Sequence, residues 1–228
     1  MKITARCHPA LEPLLPRPVL AGRMLPDWLS SMPSEVAAES LGNESIRTLK
    51  HCPPFIDAMR LGVLILNPVD LLVKDGELHW EWDPPILDDA LISRAPVGVH
   101  VPEQADGTPL ATDRLILKFI NYWTLSTEPG WSLLFHHPAG YLDLPFQTLS
   151  GVVDSDLYTD GYVHFPALLD PGFDGIIPRG APVAQVVPVR KDSTLEVITM
   201  TESEIADNRA MQDGLAREPG LYRKRYRR

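Results

Sequence analysis

The sequence predicts a mainly β fold, an antiparallel sandwich or barrel-like domain with short helices before it and one helix after it. Three observations carry this expectation. Proline is abundant, 23 of 228 residues, about twice the usual ~5%; each one inside a helix would cost roughly 3 kcal/mol, which disfavours a helical bundle. From Leu61 onward the apolar residues recur with a period of two or in strand-length runs, broken by Gly, Pro and Asp. No alternation of strand and long helix appears, so a parallel sheet is not expected. A hydrophobic fraction of 44% supplies material for a core, and the length suits one β domain or two small ones.

The elements follow in chain order. Residues 1–60 read as an irregular segment. A short helix can start at Asp27 and a second at Ser34, each soon broken by proline or glycine. "KHCPPFIDAMRLG" is better defined: Pro53 and Pro54 suit the first turn of a helix and Gly62 its stop, with Phe55 and Met59 on one face. Residues 61–200 read as the β domain. "LGVLILN" and "DLLV" are strand-length apolar runs. "ELHWEW" alternates, with Leu78, Trp80 and Trp82 facing one way. "VGVHV", "RLILKFINYWTLST", "GWSLLF", "GVVD", "GYVHF", "APVAQVVPV" and "TLEVIT" continue the pattern. Residues 201–228 read as a helix and a basic tail. Thr201 and Glu204 form a capping box, and Gly214 is expected to close the helix.

Charge and cysteine content exclude several classes. The net charge is −9, although "RKRYRR" at 223–228 is strongly basic. An acidic body repels nucleic acid, so general DNA or RNA binding is not expected. The tail reads as a solvated end. No apolar run reaches the ~18 residues of a membrane span, and prolines interrupt the leucine-rich N-terminal patch, which speaks against a secretory signal. Cys7 and Cys52 read as reduced thiols of a cytoplasmic protein.

One stretch raises the question of chemistry: "SGVVDSDLYTDGYVHFPALLDPGFDGIIPRGAPVAQVVPV", residues 150–189. Gly151, Val152, Val153, Asp154 and Asp156, followed by Gly180, Ala184, Gln185 and Val186, resemble two signatures of the dUTPase and dCTP deaminase superfamily. The resemblance implies a β-clip fold, in which a site is shared between subunits, and hence a homo-oligomer with a trimer favoured. It also implies water activation at Asp154. Yet Leu157 stands where the family carries an aromatic, with Tyr158 one residue late. The family's Arg-Ser-Gly segment is missing between Trp131 and Tyr141, and a helix replaces its glycine-rich arm. Ordinary dUTP hydrolysis is therefore not expected. Through "LKHCPPFIDAMRLG", "LKFINYWTLSTEPGWSLLF" and "GVVDSD" the chain also resembles an uncharacterised family of bacterial and phage-encoded proteins.

The candidate site residues remain open to two readings. On a strand, Asp154 and Asp156 would share a face about 6–7 Å apart; they either work as a catalytic or divalent-metal pair or accept backbone N–H bonds at a turn. Tyr158, Gln185, Trp123 and Trp131 are candidates for lining a small-molecule pocket, against a plain core role for the aromatics. A site assembled from His100, Glu103, His136 or His164 with Asp154 would suit a non-haem metal-dependent oxygenase; adjacent His136 and His137 point to opposite faces of a strand. Cys52, before a proline-started helix, is a reactive thiol or a small hydrophobe. The functional expectations are a small-molecule-binding or enzymatic β-clip-like protein without intact dUTPase motifs, a metal-dependent oxygenase-like enzyme, or a phage-type structural or interaction protein.

Overall fold

A computed structural model describes residues 1–87, 93–110, 114–218 and 220–226. The strands are β1 (Thr4–Arg6), β2 (Val19–Leu20), β3 (Glu35–Ala38), β4 (Glu44–Arg47), β5 (Val63–Leu66), β6 (Leu71–Lys74), β7 (Glu77–His79) and β8 (Val97–Val99). They continue as β9 (Ile116–Phe119), β10 (Thr124–Ser126), β11 (Ser132–His136), β12 (Phe146–Thr148), β13 (Gly151–Val153), β14 (Phe165–Leu169), β15 (Gly175–Ile177) and β16 (Pro182–Val189). Helices are α1 (Asp27–Ser31), α2 (Pro53–Arg60), α3 (Glu202–Arg217) and α4 (Leu221–Tyr226). The fold is mainly β, and every strand pairing described is antiparallel.

Residues Met1–Lys191 form one compact unit and Asp192–Arg228 another. In the first, a five-stranded sheet runs β13-β11-β16-β5-β2, a four-stranded sheet β12-β14-β9-β8, and a three-stranded sheet β15-β6-β7. Leu117 and Phe119 are fully buried, as their alternation requires, together with Leu133, Phe135, Phe146 and Phe165 in one cluster. Aromatic pairs lock it: Phe119 and Phe146 have centroids 4.8 Å apart, Phe135 and Phe165 5.4 Å. β16 is buried along six consecutive residues because it is the central strand of its sheet, the pattern of a strand covered on both faces.

The chain enters β5 through Gly62, whose φ is +74°. A side chain there would collide with the Val186 carbonyl, so only glycine lets α2 turn this tightly onto β16.

Several sequence expectations are corrected. The segment from Ser34 is not a helix but the hairpin β3–β4, because Gly42 and Asn43 both take the left-handed conformation and turn the chain back. "ELHWEW" is a strand only to His79; Trp82 leaves the ladder to pack against two of the unit's apolar clusters. "TLEVIT" belongs to none of the strands. The C-terminal helix has the expected Thr201–Glu204 box, with Thr201 N–H donating to Glu204 at 2.7 Å, but it runs past Gly214 to Arg217. Gly214 serves instead as the seat of Leu221, whose Cδ2 would lie 2.8 Å from a side chain there. The basic tail is helical as α4, pinned by Lys224 on Glu218 at 2.7 Å; Arg227 and Arg228 lie outside the described residues.

Candidate functional site

Gln185 is completely buried on β16, and all of its amide groups are occupied. Its Oε1 accepts from Ala139 N–H at 2.8 Å, and its Nε2 donates to Ala58 O at 2.8 Å and Leu61 O at 2.7 Å. It fastens the end of α2 and the turn after β11 to the central strand. A side chain so engaged holds the fold together, and nothing of it faces a pocket.

Asp154 and Asp156 do not lie on one strand. β13 ends at Val153, and Asp154 opens a turn in which its carbonyl accepts from Leu157 N–H at 3.0 Å and Tyr158 N–H at 2.7 Å. The alternation that would place both acids on one face therefore does not apply. Asp154 Oδ1 accepts from Ser132 Oγ at 2.7 Å and pairs with Lys191. The Lys191 ammonium, with the Ser132 hydroxyl, holds the Asp154 carboxyl below its usual range. Asp156 Oδ2 accepts from Gly130 N–H at 2.8 Å and so caps the loop before β11.

The aromatics separate as well. Trp123 is buried with Leu11, Leu15, Ile120 and Tyr122 in a second cluster, its backbone clasped by Asn121 at 2.8 and 3.0 Å. Trp131 is half-buried beside the loop that Asp156 caps. Tyr158 is half-exposed, with its ring lying over Gly161, where any side chain would overlap it. Leu157 is exposed.

The metal set is not assembled. His100 follows β8 in the four-stranded sheet, and His136 ends β11 in the five-stranded one. Among the described residues no three His, Cys, Asp or Glu side chains come together. His136 Nδ1 donates to the His137 carbonyl at 2.7 Å. His100 Nδ1 meets Gln104 at 3.2 Å, while its Nε2 is buried with no partner among the described residues. Glu103 is exposed. His164 accepts from Asn121 N–H at 3.2 Å, and burial, helped by the Lys118 charge, pushes its pKa below the ordinary 6.5. Cys52 is half-buried ahead of α2.

A roomy cleft lies elsewhere, among three loops that sequence reasoning did not connect. Asp75 and Gly76 join β6 to β7 with φ of +51° and +79°, the signature of a type I′ hairpin. Asp170-Pro171-Gly172-Phe173 leads β14 toward β15, with Gly172 at φ +69° and Phe173 N–H bonding Asp170 O at 3.2 Å. Asp174 Oδ1 accepts from Asp75 N–H at 2.9 Å and ties the two turns. Arg114 closes one wall, donating to Leu169 O at 2.9 Å, Leu168 O at 3.3 Å and Asp170 Oδ1 at 3.0 Å. Together with Val73, Leu115 and Leu169 these residues enclose about 320 Å³. Arg114 offsets Asp170, which leaves Asp75 and Asp174 as excess negative charge beside the Phe173 ring. "DG" and "DPGFDG" were the readable signals, but only as turns.

Fold and cleft define a class, a mainly β protein with an acidic, partly aromatic surface cleft. No family model, no curated protein and no solved structure matches the chain.

Proposed function

We propose that the chain is a small-molecule-binding β protein, that the cleft between the β6–β7 turn and the β14–β15 connection is its site, and that its ligand is a small organic cation. The observation that carries this reading is the cleft itself: about 320 Å³, in the size range of ligand sites, with three carboxylates to one guanidinium and an aromatic ring at the wall. A cation seated there gains from the carboxylates and from the Phe173 face, the latter worth about 0.5–2 kcal/mol. The "GVVDSD" and "VAQVV" segments, on this reading, are scaffold of a β-clip-like fold, because Asp154, Asp156 and Gln185 are spent on folding bonds.

The test is calorimetric titration with a panel of amines: choline, agmatine, spermidine and benzylamine. Saturable binding of at least one is expected, weakened about tenfold by Phe173→Ala or Asp174→Asn and unchanged by Asp154→Asn. Asparagine at 174 keeps an acceptor for Asp75 N–H, so the turns should survive. Failure of every amine to bind at millimolar concentration would sink the reading.

A further inference from the structure

The unit Asp192–Arg228 lacks the means to stand alone. It has 37 residues, with no cysteine and no histidine. Chains below about 40 residues usually need disulfides, metals or oligomerisation to hold a fold. α3 buries none of its side chains, and Leu221 of α4 is the buried apolar residue of the unit. Ahead of α3, Leu195, Val197 and Ile198 are 88%, 85% and 74% exposed, in a segment that belongs to no helix or strand. Its composition suits a strand, and a run of exposed apolar side chains marks an interaction surface.

The charges say which chain. Residues 192–213 carry six acids against Arg209, a net −5. Residues 214–228 carry six bases against Glu218, a net +5. The remainder of the protein, residues 1–191, stands at −9. The acidic half that bears the apolar segment is thus complemented by the basic half of an identical arm.

We propose that residues 192–228 are a self-association arm through which two copies of the chain pair antiparallel about a two-fold axis. The acidic half of each arm lies against the basic half of the other, so the Leu195–Ile198 segment of one copy meets the exposed Leu215, Tyr222 and Tyr226 of the other's basic half. Such a contact is isologous and closes at two. The resemblance drawn from "GVVDSD" implies a trimer instead; the arm's charge pattern is satisfied in pairs.

The experiment is sedimentation velocity on the full chain from 1 to 100 µM. Wild type is expected to dimerise. Leu195→Ser with Val197→Ser should raise the dimer dissociation constant at least tenfold. So should Arg223→Glu with Arg225→Glu, and likewise Glu196→Lys with Glu202→Lys, with the helical circular dichroism signal retained in each case. Mixing the two charge-reversed proteins should restore a heterodimer near wild-type strength, because the like-charged contacts become opposite again in one of the two arm pairings and are neutral to the change in the other. A monomer throughout, a trimer, or a dimer indifferent to either the apolar or the charge changes would overturn the proposal.

Discussion

Gln185 shows how a single side chain decides between a site and a scaffold. A glutamine on a buried strand between Ala184 and Val186 is a mark of function or of a satisfied internal amide, and only partners distinguish the two. Its three backbone partners lose their bonds together in Gln185→Leu, each a buried group left unsatisfied. We expect a loss of about 3 kcal/mol or more, read by urea unfolding. His164 makes a pH prediction. Its pKa is depressed by burial in the folded state, so its neutral form is favoured there, and the stability it contributes is present above the unfolded value near 6.5 and lost as pH falls through the folded value. Asp154 acts in the same direction at lower pH, since its carboxyl is also held down. The urea midpoint should therefore fall between pH 7.5 and 5, with a smaller fall in His164→Asn. An identical fall in the variant would remove His164 as the cause. With Asp154 engaged by Ser132 and Lys191, pyrophosphate release from dUTP and magnesium is expected to be absent; rapid release would reverse that expectation.

Among the elements, Gly62 and Thr201 are the sharpest tests. Gly62→Ala combines a left-handed backbone with a collision against the Val186 carbonyl. A cost of about 3 kcal/mol or more follows, since strain alone is worth 1–3 kcal/mol; a melting temperature near wild type would contradict the close approach. Thr201→Ala removes the cap of α3 and should cost that helix about 1 kcal/mol, seen as lost far-UV helical signal while the near-UV spectrum of the β unit is unchanged. These elements were also the ones the sequence made plain. Period-two runs marked β5, β9, β11 and β16, and the Thr-x-x-Glu spacing marked α3, because local pattern and tertiary role agree there. The hairpin β3–β4 was hidden because "SEVAAES" has helical composition while Gly42 and Asn43 decide the turn. "TLEVIT" has strand composition, but no partner strand within its own unit reaches it. The cleft was hidden for a different reason: Asp75, Arg114 and Asp174 stand on loops far apart in sequence, and each reads alone as ordinary turn chemistry.

At the scale of the whole molecule, the two units differ in character, one with a large apolar core and one without, and the exposed segment Leu195–Met200 stands near the start of the second. Thermolysin, which cuts beside exposed apolar residues, should cleave first within 195–200 at low protein concentration and leave the β unit whole; first cleavage inside residues 61–187 would deny the division. Within the β unit Gln185 ties distant parts of the chain, bonded to Ala58 and Leu61 across 127 and 124 residues. β5 likewise waits for β16. A chain made from its N-terminus at ~5–20 residues per second puts α2 and β5 outside the ribosome for roughly 6–25 s before the central strand exists. Through that interval the Val63–Leu66 run has only the two-residue β2 to pair with, so newborn chains expose it to aggregation and to holdase chaperones. Refolding in vitro, governed by the same distant pairings, belongs to the slow end, milliseconds to seconds, typical of non-local β topologies.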